Sequence, residues 1–150
     1  MKKSGLTVLL VDDSVFVRRV LSRLLGSNPL IKRLFEASDA AEGYSLFKIC
    51  RPDVVILDLE LPDKHGLEVL KLIKSAAPSC TVIILTSLTA PEVREEAMRL
   101  GADYFLLKDS GLLRVAETIA NICETKGRRG RPGNDAKNKD KDNANTSCSE

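Results

Sequence analysis

Leu6-Thr7-Val8-Leu9-Leu10-Val11-Asp12-Asp13 decides the fold. Six apolar or β-favouring residues run without alternation and stop at two carboxylates. A strand buried on both faces needs such a continuous run, and such strands belong to parallel sheets. Working outward, Ser14 to Leu25 places Val17, Val20, Leu21, Leu24 and Leu25 at helical spacing, with Arg18, Arg19, Ser22 and Arg23 between them. Gly26-Ser27-Asn28-Pro29 ends that helix. Arg33 to Ala37 reads as a weaker second strand. Asp39 followed by Glu42 is a capping-box signature, and Tyr44 and Phe47 share a face of the helix it opens.

The alternation continues. Val54 to Leu57 is strand three, and Leu67, Leu70 and Ile73 mark helix three. Thr81 to Leu85 is strand four. Thr89-Ala90-Pro91-Glu92 opens helix four and Gly101 closes it. Tyr104 to Leu107 is strand five, and Leu112, Val115, Ala116, Ile119 and Ile122 give helix five. Five β-α units in sequence mean an α/β protein with helices on both faces of a parallel sheet. Right-handed crossovers leave few topologies. The expected one is a flavodoxin-like (βα)5 three-layer sandwich of strand order 2-1-3-4-5, with ligands at the carboxyl ends of strands one and three.

Those ends carry chemistry. Strand one ends in Asp12-Asp13, strand three in Asp58, strand four in Thr86-Ser87 and strand five in Lys108. Three carboxylates in one place repel unless a cation holds them, and hard oxygen ligands favour Mg²⁺ or Mn²⁺. A carboxylate beside such an ion can attack a phosphoryl group. The metal, a lysine and a hydroxyl would neutralise the phosphoryl oxygens.

The rest of the composition excludes alternatives. The chain has 150 residues, 29% charged and 43% hydrophobic, an ordinary globular balance. No apolar stretch approaches the roughly 18 residues of a membrane span, so no membrane insertion is expected. Met1-Lys2-Lys3-Ser4-Gly5 is basic, but the apolar run after it meets Asp12 too soon for a secretory signal. Cys50, Cys80, Cys123 and Cys148 form no C-x-x-C pair, which fits a reducing, cytoplasmic setting. His65 is the single histidine, which rules out a multi-histidine metal site. Neither G-x-x-x-x-G-K-[ST] nor G-x-G-x-x-G occurs.

Composition changes after Thr125. Residues 126–150 contain no Val, Ile, Leu, Met, Phe, Tyr or Trp. Such a segment cannot bury enough apolar surface to offset its ordering entropy, and reads as disordered. Seven basic residues against four acids give it a net charge of +3, while the rest carries 16 basic and 17 acidic residues. A folded domain over 1–125 and a polar, basic tail over 126–150 are therefore expected.

Over about residues 5–124 the sequence resembles the receiver domains of two-component response regulators, chemotaxis regulators among them. The resemblance rests on Leu9-Leu10-Val11-Asp12-Asp13-Ser14, on Asp58-Leu59-Glu60-Leu61-Pro62 with Gly66 closing its loop, on Leu85-Thr86-Ser87, and on Gly101-Ala102-Asp103-Tyr104-Phe105-Leu106-Leu107-Lys108. It implies a phosphorylation-dependent signalling switch rather than an enzyme acting on another substrate. Asp58 would accept a phosphoryl group from a histidine kinase or a histidine phosphotransfer protein. Asp12, Asp13, Asp58 and the backbone carbonyl of Glu60 would hold Mg²⁺. Thr86 and Lys108 would contact the phosphoryl oxygens, and Thr86 and Phe105 would form the switch. The partner surface of helix four, strand five and helix five would then change.

Four positions bear on how the chain departs from the common pattern. Asp109 stands where many members have proline, and a non-proline cis bond there would be costly. The switch aromatic is Phe105, with no hydroxyl. Leu88, two residues after Thr86, is bulky and could slow loss of the phosphoryl group, whereas the effect of Glu60 has no predictable sign. A haloacid-dehalogenase-like phosphatase is a poorer match. It needs two aspartates separated by one residue after strand one, and here they are adjacent with Ser14 at the second place. In the tail, Arg129-Gly130-Arg131-Pro132 resembles an AT-hook core, which makes Arg129 and Arg131 candidate nucleic-acid contacts in a narrow minor groove.

Overall fold

β1 (Leu6–Val11) is buried along nearly its whole length, with Val8 to Val11 shut off from solvent. That is the burial its unbroken apolar run requires. The computed structural model describes residues 5–128. After β1 come α1 (Val15–Gly26), β2 (Ile31–Ala37), α2 (Ala40–Cys50), β3 (Val54–Leu57), α3 (Gly66–Ala76), β4 (Thr81–Thr86), α4 (Pro91–Arg99) and β5 (Tyr104–Leu107). A helical turn, Lys108–Gly111, leads to α5 (Arg114–Arg128). The sheet order is β2-β1-β3-β4-β5 and every pairing is parallel. This is the flavodoxin-like α/β arrangement expected from the alternation of strands and helices.

By its contacts the chain divides into Met1–Thr118 and Ile119–Glu150. The first unit holds the entire sheet. Its core is built from β1, β3 and β4, where Leu9, Leu10, Ile56, Leu57, Ile83, Ile84 and Leu85 are fully buried. Enclosing each such side chain contributes about 1.5–3 kcal/mol. In the second unit, residues 119–128 continue α5, and the Thr125 hydroxyl donates to the Asn121 carbonyl at 3.0 Å. The helix runs to Arg128, past the expected boundary at Thr125. The remainder of the expected tail, including Arg129 and Arg131, lies outside the described residues.

Local chemistry explains the helix starts. Ser14 caps α1, its hydroxyl accepting from the Val17 N–H at 3.2 Å. Asp39 caps α2 by accepting from the Glu42 N–H at 2.8 Å. The return half of the capping box is displaced by one residue, because Glu42 accepts from the Ser38 N–H at 2.9 Å. His65 caps α3, its Nδ1 accepting from the Leu67 N–H at 3.1 Å. Pro91 is the first residue of α4. Gly101 ends that segment at φ 108°, where only glycine is at ease.

Two elements differ from expectation. β2 starts at Ile31 rather than Arg33. It is an edge strand with Lys32, Arg33 and Glu36 exposed, so its apolar signal is diluted. After β5 the chain turns helical at Lys108, although helix five reads as starting near Leu112. A proline at 109 would disfavour helical backbone at Lys108, and Asp109 lifts that restriction.

Candidate functional site

Register brings the carboxylates together. Val11 pairs with Leu57 across β1 and β3, so Asp12 and Asp58 leave the sheet side by side. The Asp58 N–H still donates to the Val11 carbonyl at 3.0 Å. Thr86 pairs with Leu107 across β4 and β5, which puts Lys108 one step beyond Thr86.

Lys108 reaches back over the sheet edge to both carboxylates. Its Nζ donates to Asp58 Oδ2 at 3.1 Å and to Asp12 Oδ1 at 3.2 Å. Asp12 and Asp58 are buried, with 1% and 2% of their surface exposed. Asp12 Oδ1 also accepts from the Ser14 N–H at 2.9 Å, and Asp58 Oδ1 from the Glu60 N–H at 3.2 Å. Asp13 is exposed. One oxygen from each of Asp12, Asp13 and Asp58 lies within 4.8 Å of the others. Among the described residues this is the one such cluster.

The charges are under tension. Burial raises the pKa of Asp12, and repulsion from Asp58 adds to the rise; bonds from the Ser14 N–H and Lys108 oppose it without cancelling it. For Lys108, burial works against the charge. Its hydrogen bond to Asp12 and the attraction of both carboxylates outweigh that and raise its pKa. Asp12 Oδ2 forms an ion pair with Lys108 Nζ at 2.9 Å, but among the described residues this buried oxygen accepts no hydrogen bond. A buried carboxylate oxygen without a hydrogen bond, beside two further carboxylates, is the donor set of a hard divalent cation. The residues fit Mg²⁺ or Mn²⁺.

An acid whose pKa is raised on folding favours the folded chain most when protonated. Asp12 therefore adds stability below its ordinary value of 3.8, and this contribution is lost as pH rises through its raised folded value. Asp12→Asn removes that titration. In EDTA the variant is expected to unfold at higher urea than the parent at about pH 8, the gap closing towards about pH 4. Urea midpoints at the two pH values check this, and a midpoint below the parent's at the higher pH contradicts it.

Thr86 is fully buried, and its Oγ1 accepts from the Leu88 N–H at 3.2 Å. Phe105 is half-buried under the Arg94 guanidinium, which lies 5.5 Å from the ring centroid. Glu60 is exposed and forms an antiparallel bridge with His65, folding the β3–α3 loop into a narrow hairpin. Two residues escape sequence reasoning. Arg18 Nη1 donates to the Asp12 carbonyl at 2.7 Å, while its Nε lies 3.4 Å from Glu36. Asp63, in the β3–α3 loop, accepts from the Ala40 and Ala41 N–H groups of α2 at 2.8 and 3.0 Å. Both bond backbone atoms outside their own element, Arg18 six positions back and Asp63 22 and 23 positions back, which no local pattern announces.

Residues 8–120 match the response regulator receiver domain family. The chain belongs to this family. It is a receiver domain of the two-component type, and Mg²⁺ binding at an acidic pocket is typical of such domains. The receiver is 36% identical over 115 residues to the DNA-binding transcriptional activator DevR/DosR of Mycobacterium tuberculosis, covering 77% of this chain and 53% of that protein. It is 41% identical over 106 residues to a protein-glutamate methylesterase/protein-glutamine glutaminase of Thermotoga maritima, covering 69% of this chain and 30% of that one. The chain thus spans about half or less of the length of these relatives. Among solved structures, the response regulator domain of Thermotoga maritima CheB is 34% identical with a TM-score of 0.71, the match covering 81% of this chain and 96% of that one. No helix among the described residues of the receiver is long and apolar enough to cross a membrane.

Proposed function

We propose that this receiver is a phosphorylation-dependent switch whose phosphoacceptor is Asp58. The observation that carries the reading is the bridge from Lys108 to Asp12 and Asp58, two buried carboxylates from different strands, with Asp13 beside them. A histidine kinase or a histidine phosphotransfer protein is the donor. An Asp58 oxygen attacks the phosphorus of phosphohistidine, the P–N bond breaks and its electron pair returns to the imidazole. Asp12, Asp13, Asp58 and the Glu60 carbonyl would hold Mg²⁺, which supplies positive charge for the phosphoryl oxygens when bound. Lys108 then exchanges a carboxylate for a phosphoryl oxygen, and the Thr86 hydroxyl donates to another.

The output follows from that exchange. Thr86 moves toward the new dianion, Phe105 turns inward, and the surface around α4 and β5 changes for a downstream protein. The chain catalyses only its own phosphoryl transfer and dephosphorylation, and works in the cytoplasm.

Beryllofluoride with Mg²⁺ mimics an aspartyl phosphate. Adding it is expected to shift the backbone amide NMR signals of residues 12–14, 58–60, 86–88 and 104–108 together. Shifts confined to exposed helix faces, or none, contradict the proposal.

A further inference from the structure

The β3–α3 loop is held at both ends. At its base the Gly66 N–H donates to the Leu59 carbonyl at 2.8 Å, and Glu60 bridges to His65. At its tip Asp63 takes the Ala40 and Ala41 N–H groups. α2 has three leading N–H groups without a helical acceptor, since the Gly43 N–H already reaches the Asp39 carbonyl at 3.0 Å. Asp39 serves Glu42, and Asp63 serves the other two. Ala40 is buried, so its N–H needs the Asp63 carboxylate, but Ala41 is exposed and water could satisfy its N–H without a carboxylate 22 positions away. Capping α2 therefore accounts for the first bond, and the second is better explained by what the two-point clamp does for its own loop.

We infer that Asp63 is a positioning residue for the cation site: by clamping the tip of the 58–66 hairpin to α2, it fixes the Glu60 carbonyl where Asp12, Asp13 and Asp58 converge. The inference rests on the reading of Glu60 given under the proposed function. Asp63 itself touches neither cation nor phosphoryl group. The Ala40 N–H, helped by that of Ala41, holds its carboxyl below the ordinary range, so the clamp is charged at neutral pH and lies at the positive end of α2. A hairpin closed only at its base can swing. One pinned at the tip as well has a single position.

Isothermal titration with MgCl₂ tests this on the full chain, comparing the parent with Asp63→Ala, Asp63→Asn and Asp39→Ala. Asp63→Ala is expected to raise the Mg²⁺ dissociation constant about tenfold, as loss of an outer support does at other metal sites. Asp63→Asn keeps one acceptor oxygen and should fall between parent and alanine. Asp39→Ala removes the cap of α2 but leaves the clamp, so it should lower the melting temperature and keep the dissociation constant within about twofold of the parent. If Asp63→Ala fails to fold, Asp63→Asn carries the comparison. Unchanged affinity in both Asp63 variants, or an equal loss in Asp39→Ala, overturns the inference alone. Absence of Mg²⁺ binding by the parent overturns the cation reading and this inference with it.

Discussion

Lys108→Met is expected to destabilise the metal-free chain by about 3 kcal/mol at neutral pH, the low end of the cost of stripping one partner from a buried ion pair. Among the described residues, Lys108 is the cation bridging Asp12 and Asp58. Methionine keeps the length of the side chain and removes the charge. The two carboxylates then face each other with no counter-ion, in a place where burial already pushes Asp12 up. The cost stays at the low end because Asp13 marks an opening to solvent and because Asp12 can take up a proton. That proton sets the sign of the pH dependence. The folded variant binds more protons than the unfolded chain, so its stability falls as pH rises. In EDTA the variant's urea midpoint should drop between about pH 5 and about pH 8 more steeply than the parent's, and Mg²⁺ should restore part of the loss. Parallel pH profiles for the two proteins contradict this account of the site's electrostatics.

Gly66→Ala should be nearly as costly for a different reason. A Cβ on Gly66 would lie 2.3 Å from the Asp58 carbonyl oxygen and 2.6 Å from Leu59 Cα. Both are backbone atoms of the segment that carries the phosphoacceptor, so no side-chain rotation relieves the clash. Either α3 retreats or the loop opens, and overpacking of this kind costs about 2–3 kcal/mol. Opening the loop would also displace Asp58 and Glu60. Phosphorylation and Mg²⁺ affinity should therefore fall along with stability. Gly26→Ala is the control, because a Cβ there meets nothing within 4 Å; its unfolding free energy should stay within about 0.5 kcal/mol of the parent's. Equal midpoints for the two alanine variants would contradict the steric argument.

The residues that were legible in the sequence share a physical property. β1, β3 and β4 are buried on both faces, so their apolar runs are unbroken and their ends stand out sharply. Asp12 and Asp58 follow such runs directly and Thr86 closes the third, while Lys108 follows the short apolar run of β5, an edge strand that is mostly half-buried. A one-dimensional reading therefore places all four at one edge. β2 is an edge strand and gives a weaker signal. The helical turn at Lys108–Gly111 carries no periodicity of its own, being too short to show one. Arg18 and Asp63 were hidden for a third reason. Arg18 divides its guanidinium between the Asp12 carbonyl and Glu36, and Asp63 bonds backbone groups 22 and 23 positions away; such bonds leave no trace in local spacing. Strand order and chain direction were readable, whereas register and side-chain-to-backbone ties needed the structure.

The central claim is that Asp58 accepts a phosphoryl group with the help of the neighbouring aspartates and Lys108. Intact mass after incubation with acetyl phosphate and Mg²⁺ tests it most directly, beside Asp58→Ala and a sample in EDTA; the chain has no Trp, so fluorescence quenching cannot serve. The account predicts a mass increase of one phosphoryl group in the parent, absent from the variant and from the EDTA sample. An adduct that persists in Asp58→Ala, or forms equally without a divalent cation, would contradict it.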